Sequence, residues 1–248
     1  MDYEIGEMIR LAPGAVELHD ARRSIRRTVT LEAFSISRCA LVRNGSDRPT
    51  SGVTWFEAVD LCNRLSSAHG LQPAYTANDR QVRWDVRANG FRLPTEAEWE
   101  YACRAGTTGP HYGDLREIAW TSLDGVDGPQ PVRRKQPNAF GLYDTLGNVW
   151  EWCWDYLDPA RYGDYRVFRG GSWADPPWSV RASTRRGSAP DAVVEGTGLR
   201  LARGAVGTDG PEGSEAAQGW SATQDRARAS ISGPLPAGWT PLRELNSP

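Results

Sequence analysis

Gly90-Phe91-Arg92-Leu93-Pro94-Thr95-Glu96-Ala97-Glu98-Trp99-Glu100-Tyr101-Ala102 is the run that reads most clearly in this chain. Thr95-x-x-Glu98 has the form of a capping box, in which the Thr hydroxyl accepts from the third helical N–H and the Glu carboxylate reaches back to the cap's own N–H. Trp99, Ala102 and Cys103 then recur at helical spacing as a buried stripe, and Gly106 ends the helix. The same device stands upstream. Thr54-x-x-Glu57 opens a helix carrying Trp55, Ala58, Val59, Cys62 and Leu65 on one face, which should stop near Gly70. Glu96, Glu98 and Glu100 suit the positive end of a helix dipole, so no catalytic carboxylate pair is needed to explain them.

Outward from these two helices the chain is short strands and loops. Alternation marks Thr28-Val29-Thr30-Leu31 and Phe34-Ser35-Ile36-Ser37, with Arg22, Arg23, Arg26 and Arg27 read as a solvated strand face. Between Gly106 and Arg203 the residues are mostly Gly, Pro, Asn, Asp and aromatics, with strands expected at Val149–Trp154, Tyr165–Arg169 and Gly198–Ala202. Irregular stretches this long inside one domain are often functional. Past Gly204 the composition turns to Gly, Ser, Ala and Pro. The reading is one α+β domain over 1–204 and a flexible C-terminal tail over 205–248, with Trp220 and Trp239 as possible anchor points.

Composition limits the function. The 248 residues carry 29 Lys plus Arg against 31 Asp plus Glu, a net charge of -2, which supplies no basic field for nucleic acid. No apolar run nears the roughly 20 residues of a membrane span, and the acidic N-terminus lacks a signal core, so the expected location is cytoplasmic. Lys135 is the single lysine, a pattern of GC-rich codon usage rather than guanidinium chemistry. The 11 Trp, 26 Gly and 17 Pro suggest irregular backbone pinned by large side chains. Cys39, Cys62, Cys103 and Cys153 form no CxxC and read as buried thiols. His19, His69 and His111 match no metal spacing.

Four segments stand in fixed order: Gly90 to Ala102; Pro137-Asn138-Ala139-Phe140-Gly141-Leu142-Tyr143-Asp144; Gly147-Asn148-Val149-Trp150-Glu151-Trp152; and Arg169-Gly170-Gly171-Ser172-Trp173. Arg181-x-x-x-Arg185, Pro190-Asp191 and Gly198-Leu199-Arg200-Leu201-Ala202 follow them. Over roughly residues 8 to 203 this chain resembles the formylglycine-generating enzyme, or sulfatase-modifying factor, family. The resemblance implies a C-type-lectin-like sulfatase-modifying-factor fold with two main helices, short twisted antiparallel strands and high irregular content.

Asp144, Gly147, Val149 and Glu151 put two carboxylates and two carbonyls in one tight turn, an oxygen cage suited to a hard cation. The family binds calcium at the matching positions, so structural Ca²⁺ is the expected cofactor. The same residues also read as a cation-free turn in which Glu151 pairs with an arginine. A second calcium site of some relatives needs an Asn just before Trp120, where this chain has Ala119, and is not carried over.

In sulfatase-activating relatives two cysteines after Gly-Gly-Ser bind copper as thiolates. Here the first position falls on Asp175 and the second on Pro177 or a short deletion, so no copper is expected. Iron-using relatives draw histidines from an extra helical domain that this chain lacks, so no iron is expected either. Asp175-Pro176-Pro177-Trp178 is stiff and aromatic, which suits recognition of a peptide or ring. Ser172, Asp175 and Arg181 are pocket candidates, and Trp173, Trp178 and Arg185 ligand-binding candidates. Trp173 and Trp178 also read as core filling, the reading favoured for Trp173. Arg181, Arg185 and Arg200 either form an anion pocket or brace the loops by pairing with Asp155, Asp191 and Glu195.

The functional expectation is a calcium-stabilised scaffold without cysteine-to-formylglycine oxidase activity, binding a protein, peptide or small molecule. The alternative is a divergent oxidoreductase of the same family acting on a protein residue or small metabolite. Bacterial ligand-display relatives place a variable, Asn-rich segment where this chain has residues 173–197, which contain no Asn.

Overall fold

The computed structural model describes residues 3–20, 25–204 and 216–221. In chain order the elements are β1 (Tyr3–Glu4), β2 (Met8–Leu11), β3 (Gly14–Asp20), β4 (Ile25–Leu31), β5 (Phe34–Ser37), β6 (Val42–Arg43), α1 (Trp55–Ala68), β7 (Tyr75–Asn78), β8 (Gln81–Trp84), β9 (Phe91–Arg92) and α2 (Glu96–Arg104). The second half contains α3 (Leu115–Ile118), β10 (Trp150–Tyr156), α4 (Pro159–Tyr162), β11 (Arg166–Arg169), β12 (Arg185–Ser188), β13 (Thr197–Gly198), β14 (Ala202–Arg203), β15 (Ala216–Ala217) and β16 (Trp220–Ser221). This is the expected α+β class, with α1 and α2 as its main helices.

Both capping boxes form. Thr54 Oγ1 accepts from Glu57 N at 3.1 Å while Glu57 Oε2 accepts from Thr54 N at 2.7 Å, and Thr95 and Glu98 do the same at 3.1 and 2.9 Å. The helices end at His69 and at Ala105, the latter in the left-handed region at φ 44°.

Two four-stranded sheets carry the domain, ordered β12-β11-β10-β13 and β2-β5-β14-β9. One sequence expectation needs correcting here. Gly198–Ala202 is not a single strand: Thr197 and Gly198 pair in parallel with Trp150 and Glu151, whereas Ala202 and Arg203 pair with β5 and β9 in the other sheet. The chain crosses between sheets through Leu199, Arg200 and Leu201, all buried, and that crossing sends the Arg200 side chain into the interior.

The core is aromatic. Trp55, Trp152 and Trp154 are almost fully buried, and Trp154 stacks on Tyr75 with centroids 5.0 Å apart and planes at 11°. Arg166 lies buried among them, its Cζ 3.7 Å from the Tyr156 ring centroid and 4.0 Å from that of Trp55, donating to Trp154 O at 2.6 Å. A cation desolvated this deeply is held by ring quadrupoles and a carbonyl dipole.

Within 205–248 the described residues 216–221 are structured around Trp220, one of the two anchor points named from the sequence. There a two-stranded hairpin packs Trp220 against Trp84 and Trp154, with centroids 6.1 and 5.4 Å apart. Buried Gln218 at its turn exchanges hydrogen bonds with Glu32 through Oε1 and Nε2, at 2.9 and 3.1 Å, and its carbonyl accepts from Thr95 Oγ1 at 2.8 Å. The buried indole surface and these three bonds order a segment whose composition alone reads as unstructured. Residues 205–215 and 222–248, Trp239 included, lie outside the described residues, as do Arg22 and Arg23.

Candidate functional site

The first half of the site is the turn from Asp144 to Glu151. Asn138 seats the loop before it on the end of α2, donating to Ala102 O at 2.8 Å and accepting from Phe140 N and Leu142 N at 3.0 and 3.1 Å. Asp144, Gly147 and Asn148 then adopt φ of 54°, 71° and 62°. Gly147 is required: a Cβ there would stand 2.2 Å from Trp120 O. The Gly147 N–H donates to Gly170 O at 3.0 Å and the Asn148 carbonyl accepts from Trp173 N at 2.9 Å, so this turn and the Gly-Gly-Ser element are laced together.

The two carboxylates of the turn differ. Glu151 is fully buried and bound on every side: Trp99 Nε1 donates at 2.7 Å, and Arg200 donates through Nε at 2.9 Å and Nη2 at 2.8 Å. The rest of Arg200 is spent on Ser37 O at 2.7 Å and Tyr143 O at 2.8 Å. Asp144 is also buried, yet only its Oδ2 has a partner, Arg133 N at 2.8 Å, and its Oδ1 has none. Burial pushes its carboxyl up to about 6.

The unpartnered Asp144 Oδ1 is the kind of donor calcium takes, and Asp144 with the carbonyls of Gly147 and Val149 would be the residues to hold such an ion. Glu151 fits only as a shared ligand, because Arg200 and Trp99 already occupy both its oxygens. When bound, the ion would supply charge neutralisation to the turn, not a reactive centre.

The second half of the site is Gly170 to Trp178. Gly170 and Gly171 have φ of 102° and 86°, and a Cβ on the first would meet Thr145 O at 2.8 Å. Ser172 and Asp175 come together as the motif suggested, but as one closed hydrogen-bonded unit. Asp175 Oδ2 accepts from Ser172 N at 2.9 Å, Ser172 Oγ at 2.6 Å and Trp150 Nε1 at 2.7 Å, while Oδ1 meets Arg186 at 3.1 Å. An acceptor satisfied this completely holds the loop in place. Arg181 is exposed and takes no part in that unit. Trp173 is half-buried beside Gly196, its Nε1 without a partner, whereas Trp178 is 72% exposed and Val193 71%.

The arginines brace the loops. Arg200 pairs with Glu151 as the cation-free reading of the turn had it, while Asp191 takes Arg80 at 2.7 Å and Arg185 takes both oxygens of Glu96 in place of the pairings with Asp155 and Glu195. Arg185, a ligand-binding candidate in the sequence, is thus engaged with Glu96. Arg169 bridges Glu96 and Glu100 from β11, and Arg92 grips Glu98 at 2.6 and 2.7 Å. Burial opposes the charge of Glu96, but Arg185 and Arg169 outweigh it and hold its carboxyl below the ordinary range. Asp155 accepts from Glu96 N at 2.7 Å and is pushed the other way by burial and by the Glu96 charge. Sequence reasoning missed Arg92 and Arg169. Three glutamates entering a helix with a buried stripe, in an arginine-rich chain, were the available signal.

Cys62, Cys103 and Cys153 are buried free thiols and Cys39 is half-buried. Burial raises all four, Cys103 to about 12. Thiolate ligation of copper needs the opposite shift. The carboxylate of Asp175 and the ring of Pro177, where the family's copper pair would align, do not fit a soft ion.

Comparison with known proteins gives the chain its relatives. The chain is 40% identical over 149 residues to the inactive C-alpha-formylglycine-generating enzyme 2 of Bos taurus, covering 50% of this chain and 49% of that protein. It is 37% identical over 158 residues to the formylglycine-generating enzyme of Streptomyces coelicolor, covering 50% of each. It therefore spans about half the length of these relatives. Among solved structures, Treponema denticola variable protein 1 superposes with a TM-score of 0.72 at 29% identity, covering 82% of this chain and 98% of that one. Residues 39–205 match the family profile described as sulfatase-modifying factor enzyme 1-like domain, and the chain belongs to that family.

Proposed function

We propose that this chain is a non-copper member of the family that acts as a calcium-stabilised scaffold and offers residues 173–197 to a protein, peptide or small-molecule ligand. The observation that carries the reading is Asp175. At the position where copper-using relatives carry a cysteine, it has a carboxylate whose oxygens are taken by Ser172, Trp150 and Arg186. The 40% identical relative named as inactive accords with a role without catalysis. Trp178 and Val193, exposed on the loops that follow, are the contact residues in this reading. No helix among the described residues is long and apolar enough to cross a membrane.

The test is metal analysis of the purified chain. The expected content is about one equivalent of calcium by the coordination logic of the turn, with no stoichiometric copper or iron. Tight copper binding with oxygen consumption would overturn the non-copper reading.

A further inference from the structure

A second concavity lies away from the Gly-Gly-Ser loop. The N-terminal segment Glu4–Glu7, the stretch after β5 and the loop around Arg133 enclose a cavity of about 470 Å³, within the range of small-molecule sites. Its apolar lining includes Leu41, Val132 and Leu201, all buried, next to the half-buried thiol of Cys39.

Both signs of charge line the same space. Arg38 and Glu7 neutralise each other at 2.8 Å. Arg133, Arg134, Glu4 and Asp47 also line it and are exposed, and among the described residues none of these four forms an ion pair. Arg133 is not free to swing with its backbone: it sits at φ 63°, pinned by its N–H to Asp144 Oδ2 at 2.8 Å. Two cations and two anions that share a cavity without pairing, beside an apolar surface, match a ligand that carries both charges and an apolar body.

We propose that this cavity binds a small zwitterion with an apolar side chain, an α-amino acid or short peptide, whose carboxylate meets Arg133 and Arg134 and whose ammonium meets Glu4 and Asp47. The body of the ligand lies over Leu41, Val132 and Leu201 and covers Cys39.

Cys39 provides the readout, because the other three thiols are buried. The full chain is alkylated with iodoacetamide, with the modified residue identified by mass, in the presence of the dipeptide Phe-Leu or of its N-acetylated or C-amidated forms. The expected result is saturable protection of Cys39 by Phe-Leu, with each capped form needing at least about tenfold more for the same effect, as loss of a charge-assisted contact implies. Arg133→Gln with Arg134→Gln should erase the preference over the amide. Glu4→Gln with Asp47→Asn should erase the preference over the acetyl form. Because Arg133 favours the Cys39 thiolate, protection in each variant is read against that variant's own rate without peptide, and a thermal melt matching the parent chain shows that the fold is intact. No protection by Phe-Leu, or equal protection by the capped forms, overturns the proposal.

Discussion

Asp144 and Asp175 are both buried aspartates in tight turns, one at each half of the site, and they are finished differently. Asp175 accepts three hydrogen bonds on one oxygen and an arginine on the other, so the protein itself satisfies it. Asp144 has one oxygen bound and one left over. A buried carboxylate without partners is costly, and the protein tolerates it where something else completes the shell. The contrast teaches that burial of an acid is not the informative fact. The informative fact is which acid is left incomplete, and it lies in the Asp144 turn, not where the family's copper chemistry would align.

The largest expected effect tests the complete side of that contrast. Arg200→Met should lower stability by about 3–5 kcal/mol in urea unfolding, because Glu151 would be left in the interior without its counterion. A loss below 1 kcal/mol, on the order of a surface change, would mean that Glu151 is held by a cation rather than by Arg200.

Next come the two aspartates themselves. Asp175→Asn should cost about 1–3 kcal/mol in calcium and in chelator alike, since the partners it abandons are protein groups. Asp144→Asn should cost only the calcium-dependent part, about 2.7 kcal/mol when calcium is a hundredfold above its dissociation constant, and should be neutral or stabilising in chelator. Equal losses in both buffers for Asp144→Asn would erase the distinction.

A third carboxylate, Glu96, sharpens the comparison through pH. Its folded-state carboxyl lies below the ordinary value of 4.5, because Arg185 and Arg169 outweigh burial. The unfolded chain then takes up the proton first, so this contribution is whole above about pH 4.5 and is lost as the pH falls below it. Acid unfolding of Glu96→Gln should show a shallower loss over that range than the parent chain. The smallest effect belongs to Trp178→Ala. At 72% exposure it should move stability by no more than about 0.5 kcal/mol while weakening capture of any ligand by the 173–197 surface.

Local chemistry was legible in the sequence. Both capping boxes span three residues, so Thr54, Glu57, Thr95 and Glu98 announced their helices and formed them. The four ordered motifs carried the family, and the match over 39–205 agrees with them. What the sequence concealed was pairing across distance. Arg169 reaches Glu96 across 73 positions and Arg200 reaches Glu151 across 49, and nothing local says which of many arginines a buried acid will take. The Gly198–Ala202 strand failed for a related reason. Leu199 and Leu201 are buried as a strand would bury them, but they belong to a crossing between two sheets.

The hairpin at 216–221 changes where the domain can be cut. Thr95 caps α2 and also donates to Gln218 O, while Trp220 lies over Trp84 and Trp154. A fragment trimmed at Gly204, where the composition changes, would leave the mouth of the aromatic core without its stopper. Useful truncations therefore begin beyond Ser221. Fusions and tags placed at the compositional border would pry at the first turn of α2, which Thr95 caps.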